Sequence, residues 1–200
     1  MKSLLRTLFY ACAIWPVVKF WLGVCTYNHQ RLPRSGPAII VANHNSHLDT
    51  FVLLSLFPKA VRENIQPVAA ADYFLKNKVS AWFTLNILGI IPVERKGAGG
   101  NPLAGCEQAL QQGKIILIYP EGTRGEPDVL SPIKPGIWHL AARLPDIPVI
   151  PLYVKGTGRV MGKGNRIPLP LFVEVHVQAP LPFNPERQDY LDSLQKQFAD

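Results

Sequence analysis

The feature that most constrains this chain is a set of short, almost wholly apolar runs, each cut off by turn residues or a polar cluster. Residues 38–42 read AIIVA, between a proline and an Asn-His pair. Residues 114–119 read KIILIY and end at Pro120. Runs this short, rich in isoleucine and valine, are strands. With no polar residue on alternate positions, both faces of each strand have to be covered by other parts of the chain. That is the condition of a strand inside a parallel sheet with helices on either side.

The segments between such runs carry helical spacing. Residues 47–57 stop before Pro58, and 74–88 stop before Gly89. Residues 101–112 carry Pro102 in the first turn and Gly113 just past the end, the asymmetry expected of helix termini. Residues 135–144 and a polar segment at 185–198 complete the helices. Further strands are expected at 66–71, 90–93, 148–155 and 171–178, the last alternating apolar and polar residues like a half-exposed strand. Strands alternating with helices define an α/β fold: a single layered domain with a mostly parallel central sheet flanked by helices.

The first 25 residues stand apart. Residues 3–25 are mostly apolar, interrupted by Arg6, Pro16 and Lys19. The longest uncharged run, 7–18, is short for a bilayer span. Phe9, Tyr10, Trp15, Phe20 and Trp21, with flanking basic residues, fit a helix lying in a membrane interface; a buried helix covering the core is the alternative. QRLPRSGP at 30–37 reads as a linker. The chain is thus divided into an N-terminal apolar, membrane-associated helix (1–29) and a globular domain (30–200).

Composition narrows the partners. Net charge is +7, yet only 18% of residues are charged and 48% are hydrophobic. A basic chain poor in charge suits an anionic membrane surface. The basic residues are scattered, without zinc spacing or aromatic interleaving, so no nucleic acid partner is expected. Cys12, Cys25 and Cys106 are too dispersed for a disulfide framework or a zinc site. His29, His139 and His176 show no ligand spacing, and no metal is expected. No phosphate-binding GxxxxGK[ST], dinucleotide glycine loop or GxSxG elbow is found.

Three polar constellations follow strands, where α/β sheets bind ligands. The first is Asn43-His44-Asn45-Ser46-His47-Leu48-Asp49. A histidine held by a carboxylate is suited to remove a proton near neutral pH. Five residues on an ideal helix turn through about 140°, so His44 and Asp49 meet only if His44 lies in the loop and bends back over Asp49 on the helix's second turn. Otherwise Asn43 or Ser46 caps the helix and the histidines are ordinary loop residues. The second runs from Gly89 to Gly97 and offers Arg95 to a phosphate, or to solvent. The third is Tyr119-Pro120-Glu121-Gly122-Thr123-Arg124. There Gly122 permits close backbone approach, and Arg124 is a phosphate clamp or the partner of Glu121 across a turn.

Together these segments resemble the glycerolipid acyltransferase superfamily, typified by the 1-acylglycerol-3-phosphate acyltransferases. NHxxxxD matches Asn43 to Asp49, a strand ending in arginine matches Gly89 to Arg95, and [FY]PEGTR matches Tyr119 to Arg124 in full. An apolar stretch with a central proline matches Val149-Ile150-Pro151-Leu152, and the lysine and glycine after the third block stand at Lys134 and Gly136, with Ile133 where the family usually has Phe. The resemblance covers residues 38–155 in order. It implies His44 as general base and Asp49 as its orienting partner. It implies Arg95 and Arg124 as ligands of the acceptor's phosphate, with Glu121, Gly122, Thr123 and Lys134 completing the acceptor site and Pro151 shaping the pocket.

The implied reaction moves a fatty acyl group from acyl-CoA or acyl-carrier protein to a lysophospholipid hydroxyl, most simply 1-acylglycerol-3-phosphate, giving phosphatidic acid. No bound cofactor is implied; membrane lipids and the acyl donor are the partners, and the cytoplasmic face of the inner membrane is the expected location. Backbone N–H groups near Asn43 or Gly122 are candidate oxyanion donors. Another acceptor (glycerol phosphate, another lysophospholipid or a lyso-amino-acid lipid) and a non-catalytic lipid-binding module stay open as alternatives.

Overall fold

The computed structural model describes residues 2–74, 77–94, 101–127, 129–161, 169 and 171–199. Among them, seven strands form one sheet: β1 (Gly23–Tyr27), β2 (Ala38–Ala42), β3 (Ile65–Ala70), β4 (Ile91–Val93), β5 (Ile115–Ile118), β6 (Val149–Lys155) and β7 (Phe172–Val177), in the order β1-β7-β6-β2-β5-β3-β4. The five strands from β6 to β4 are parallel. β7 pairs antiparallel with β6, and β1 runs parallel to β7. The carboxyl ends of five strands and the amino ends of two therefore share one edge.

β2 lies between β5 and β6, and all five of its residues are buried. Its side chains enter two cores. Ile40 and Ala42 join Leu117, Leu152 and Val154 on one face; Ile39 and Val41 join Ile116, Ile118 and Val149 on the other. Burying one such isoleucine contributes about 1.5–3 kcal/mol, which is why the central strands tolerate no polar alternation.

The first face is covered by α1 (Lys2–Phe9), continued by π-helical turns at Tyr10–Ile14 and Val17–Trp21, and by α2 (Leu48–Ser55) with α3 (Lys59–Arg62) after it. α4 (Ala71–Phe74) follows β3, and α5 (Lys78–Phe83) runs into π-helical Thr84–Leu88. Phe83 meets Phe9 of α1 edge to face at 5.2 Å. The second face is covered by α6 (Ala104–Gln111), α7 (Gly136–Arg143) and α9 (Arg187–Ala199). The short α8 (Thr157–Val160) follows β6.

The mixed sheet, its flanking helices and the apolar N-terminal helix agree with the sequence-based expectation, and the expected strands lie within a residue or two of their places. The helix expected over 74–88 is divided among α4, α5 and a π-helical turn, with residues 75 and 76 outside the described ones. The N-terminal helix stops at Trp21, earlier than the apolar run to residue 25 suggests, because Gly23–Tyr27 joins the sheet beside β7. Gly23 permits that pairing: a Cβ there would stand 2.4 Å from the Phe172 ring.

The stretch Leu4–Trp21 is long and apolar enough to cross a membrane by length and composition. Tyr10 and Ile14 turn into the core, while Leu4, Leu5, Leu8, Trp15, Phe20 and Trp21 are exposed. Val79, Trp82 and Leu85, on the helix that α1 packs against, are exposed as well.

Candidate active site

Where β2 ends, Asn43 takes over the hydrogen bonding of the strand. Its amide donates to the Val154 carbonyl at 2.8 Å, and its side-chain oxygen accepts from the Val154 N–H at 2.7 Å. A buried side chain thus completes the β2–β6 ladder and frees the main chain to turn. That turn carries His44 out of the strand direction toward the shared edge.

Asp49 organises the loop between β2 and α2. It is the second residue of α2, fully buried, and its Oδ2 accepts three hydrogen bonds: from His44 Nδ1 at 2.9 Å, and from the Asn45 and Ser46 N–H groups at 2.8 Å each. The loop placement of His44 expected from spacing is observed, with Asp49 in the first turn of the helix rather than the second. Ser46 Oγ accepts from the Leu48 N–H at 3.2 Å and donates to the Met161 carbonyl at 2.6 Å, closing the turn. Because a carboxylate only accepts, Nδ1 carries the proton and Nε2 presents its lone pair. The His44 side chain is 18% exposed, and among the described residues nothing is bonded to Nε2.

The turn after β5 supports the histidine from below. Tyr119 stacks on the imidazole, with ring centroids 4.1 Å apart and planes at 22°, and its hydroxyl shares a 2.8 Å hydrogen bond with Thr50 Oγ1. Burial holds the Tyr119 phenol well above its ordinary pKa, and the Asp49 charge adds to this, so the ring stays neutral beneath the imidazole. Glu121 is buried and divides its oxygens: Oε1 accepts the His44 N–H at 2.8 Å, and Oε2 accepts the Ser131 N–H at 3.1 Å. Burial raises its pKa, and those two donors partly offset the rise. Among the described residues no ion pair joins Glu121 to Arg124; Glu121 is a brace for the His44 loop.

Arg124 and Lys134 remain uncommitted. Arg124 is half-buried and Lys134 exposed, and among the described residues neither side chain has a hydrogen-bond or ion-pair partner. Lys134 lies over Gly122, whose φ is +72°; a Cβ there would stand 2.6 Å from Nζ. The lysine is held in place by its backbone N–H, which donates to the Pro120 carbonyl at 2.9 Å. His47 belongs to the same neighbourhood: burial lowers its pKa, with the charge of Arg124 and then His44 adding to the effect. A cationic rim beside a free imidazole nitrogen can receive an anionic acceptor.

Thr123 is exposed at the tip of the turn. Pro151 is buried in β6, and Ile133 packs against the second core in the place where phenylalanine is usual. Arg95 lies outside the described residues. The Gly122 N–H is not free for an oxyanion, since it donates to the Tyr119 carbonyl at 3.0 Å. Sequence reasoning missed the Asn43 clamp, the Tyr119 platform, Ser131 and the contribution of His47. The tyrosine was legible as the first residue of the hexapeptide; the others depend on tertiary pairing.

A layered α/β domain with a His–Asp pair beyond β2 and an EGTR turn beyond β5 defines the class. The family model described as Acyltransferase matches residues 23–155, and the chain belongs to that family. It is 28% identical over 160 residues to a chloroplastic 1-acyl-sn-glycerol-3-phosphate acyltransferase of Brassica napus, covering 74% of this chain and 44% of the relative. It is 30% identical over 137 residues to the mouse 1-acyl-sn-glycerol-3-phosphate acyltransferase alpha, covering 67% of this chain and 46% of the relative. The chain thus spans a little under half the length of these two relatives. Its fold matches the crystal structure of the 1-acyl-sn-glycerophosphate (LPA) acyltransferase PlsC from Thermotoga maritima, with a TM-score of 0.68 at 20% identity, covering 88% of this chain and 71% of that one.

Proposed function

We propose that the protein transfers a fatty acyl group from an acyl thioester, acyl-CoA or acyl-carrier protein, to the free hydroxyl of 1-acylglycerol-3-phosphate, yielding phosphatidic acid. The observation that carries this is the 2.9 Å His44–Asp49 contact with Nε2 left open at the strand edge. The names of the relatives, given for 1-acylglycerol-phosphate acyltransferases, supply the acceptor.

In this mechanism His44 Nε2 takes the hydroxyl proton as the oxygen attacks the thioester carbonyl. Asp49 stabilises the imidazolium and fixes its tautomer. The tetrahedral intermediate collapses with loss of thiolate, a leaving group of pKa about 8.5, which takes the proton back from His44. The products are an ester and a thiol. Arg124 and Lys134, joined by Arg95, hold the acceptor phosphate; Gly122 and Thr123 shape the turn around it.

The N-terminal helix lies on the membrane in this proposal, with Leu4, Leu8, Trp15 and Phe20 outward and Tyr10 and Ile14 against the domain. β1 then goes with the catalytic domain. A net charge of +7 suits the cytoplasmic leaflet, whose anionic lipids attract basic surfaces.

The test is acyl transfer by the purified full chain in detergent, with both donors and a panel of lysolipids and glycerol phosphate, beside His44→Ala. Loss of about 10²–10⁴-fold is expected in the variant, the usual contribution of a general base. Full activity in the variant removes His44 from the mechanism. Preference for another acceptor keeps the chemistry and renames the substrate. Tight lysolipid binding without turnover by either protein would make this a binding module.

A further inference from the structure

Tyr119 has two contacts to which the proposed reaction gives no task. Its ring lies 4.1 Å from the His44 ring, at 22° to it. Its hydroxyl shares a 2.8 Å hydrogen bond with Thr50 Oγ1. Thr50 directly follows Asp49 in α2. One turn of helix therefore reaches the imidazole by two routes: through Asp49 to Nδ1 at 2.9 Å, and through Thr50 and the phenol to the face of the ring. β5 lies beside β2 with Ile118 opposite Val41, so Tyr119 leaves its strand close to where the His44 loop leaves its own.

The two routes hold different things. The hydrogen bond to Asp49 fixes Nδ1, and a ring fixed at one atom can still tilt about it. Nε2 is at the far corner of the imidazole, so a tilt is felt most where the proton is taken. A displacement of about 1 Å at a reacting group costs about 10²-fold in rate. A flat ring in stacked contact resists that tilt, and a phenol tied at its far end does not slide away with it. The face of an aromatic ring also favours a cation. The contact therefore strengthens when His44 gains a proton, the state through which the proposed transfer passes.

We propose that Tyr119, anchored by Thr50, is a positioning residue that holds the plane of the His44 ring and supports its protonated form. The inference rests on the reading of His44 as general base. The molecule supplies its own control. Tyr27 lies 4.6 Å from His176 with the planes at 21°, and His176 Nε2 meets Glu174 Oε2 at 3.3 Å. Tyr27 ends β1, whose carboxyl end lies at the sheet edge away from His44. The same three kinds of group thus meet at the candidate site and again far from it.

The test compares Tyr119→Leu, Tyr119→Phe and Thr50→Val with Tyr27→Leu, each as the full chain purified in detergent. One arm is steady-state acyl transfer to the lysolipid across pH. Tyr119→Leu should lower kcat about 10²-fold with the acceptor KM unchanged. It should also move the acid limb of the kcat/KM profile about half a unit to lower pH, the equivalent of one exposed cation–π contact. Tyr119→Phe keeps the ring and should recover most of both. Thr50→Val should match Tyr119→Phe, and the double variant should be no worse than either, because each removes the same bond. Tyr27→Leu should keep the wild-type rate and profile. The other arm needs no acceptor: nitrogen-15 NMR of labelled histidine follows the His44 ring, assigned by the signals lost in His44→Ala. Tyr119→Leu should lower its titration midpoint. A wild type without turnover would strike the reading of His44 as general base, and the NMR arm would then decide alone whether Tyr119 supports the ring. Should Tyr119→Leu fail to fold by circular dichroism, Tyr119→Phe and Thr50→Val carry the test, and additive losses, or none, overturn the proposal. A folded Tyr119→Leu whose pH profile and His44 titration match wild type overturns it whatever its turnover.

Discussion

The loop after β2 and the turn after β5 meet at one edge of the sheet, yet they hold their polar groups in opposite ways. In the first, the groups that aim His44 are spoken for: Asn43 is locked to β6, and one oxygen of Asp49 gathers three donors. In the second, the acid is committed but the cations are not; Glu121 braces the first loop, while Arg124 and Lys134 have no partner among the described residues. A group that must move a proton has to be aimed before the substrate arrives. A group that only has to meet a charge can wait for it.

The largest expected effect tests the committed loop. Asp49→Asn keeps the volume but changes the hydrogen-bonding character of the group that fixes the His44 tautomer. Turnover should drop by about 10⁴-fold, as in other His–Asp systems, with the fold retained by circular dichroism. An Asp49→Asn enzyme within about tenfold of wild type would show that the pair does not govern the base.

The waiting turn should respond differently. Arg124→Ala is expected to raise the acceptor KM by about 10–100-fold, the range for one charged hydrogen bond, while the turnover number stays near wild type. Steady-state kinetics with the lysolipid varied reads this split. A fall in the turnover number with unchanged KM would place Arg124 in the chemistry and erase the distinction between the two segments.

Asn43→Ala sharpens the contrast in stability. It leaves the buried N–H and carbonyl of Val154 without partners, at a cost of about 3 kcal/mol, which lowers the melting temperature by about 6–12 °C for a domain of this size. No such drop is expected for Arg124→Ala. Equal melting temperatures for the two variants would mean that the first loop is no more firmly built than the second.

The smallest effect is in pH dependence. Burial holds the His47 pKa below its ordinary 6.5, assisted by Arg124 and His44. The unfolded chain therefore takes up this proton first as pH falls, and the native state loses stability on acidification below that value. Glu121 has the opposite sign: its pKa is raised above the ordinary 4.5, so its contribution falls as pH rises through the window above that value. The difference between wild type and His47→Gln isolates the first term. The variant's melting temperature should change less from about pH 7 to about pH 5, by under about 1.4 kcal/mol per pH unit. Parallel curves would mean that His47 titrates alike in the folded and unfolded states.

How much of this was legible depended on how local each interaction is. β2 and β5 could be read directly, because strands covered on both faces leave no polar positions. β1 could not: GVCTY follows an apolar helix without a break in composition, and its partner strand β7 begins 149 positions beyond Gly23, at Phe172. The His44–Asp49 pair was accessible from a five-residue spacing and the resemblance it supports. The brace and the clamp were not, since they join residues 77 and 111 positions apart. The same distance hid the partners of Glu121: a local reading offered Arg124, three positions on, as one alternative, whereas its Oε1 accepts a backbone N–H from another loop.

The reversed pair β1 and β7 brings the end of the N-terminal helix to the edge where the two loops stand. Phe20, 82% exposed, and Phe172, 78% exposed, mark that rim. Had β1 run with the central strands, the chain would enter the sheet at the far side. A lipid hydroxyl would then have to travel the full length of the domain to reach the imidazole. As built, the threshold and the hearth share one wall: an acceptor drawn from the bilayer in the proposed reaction turns a corner instead of crossing a room.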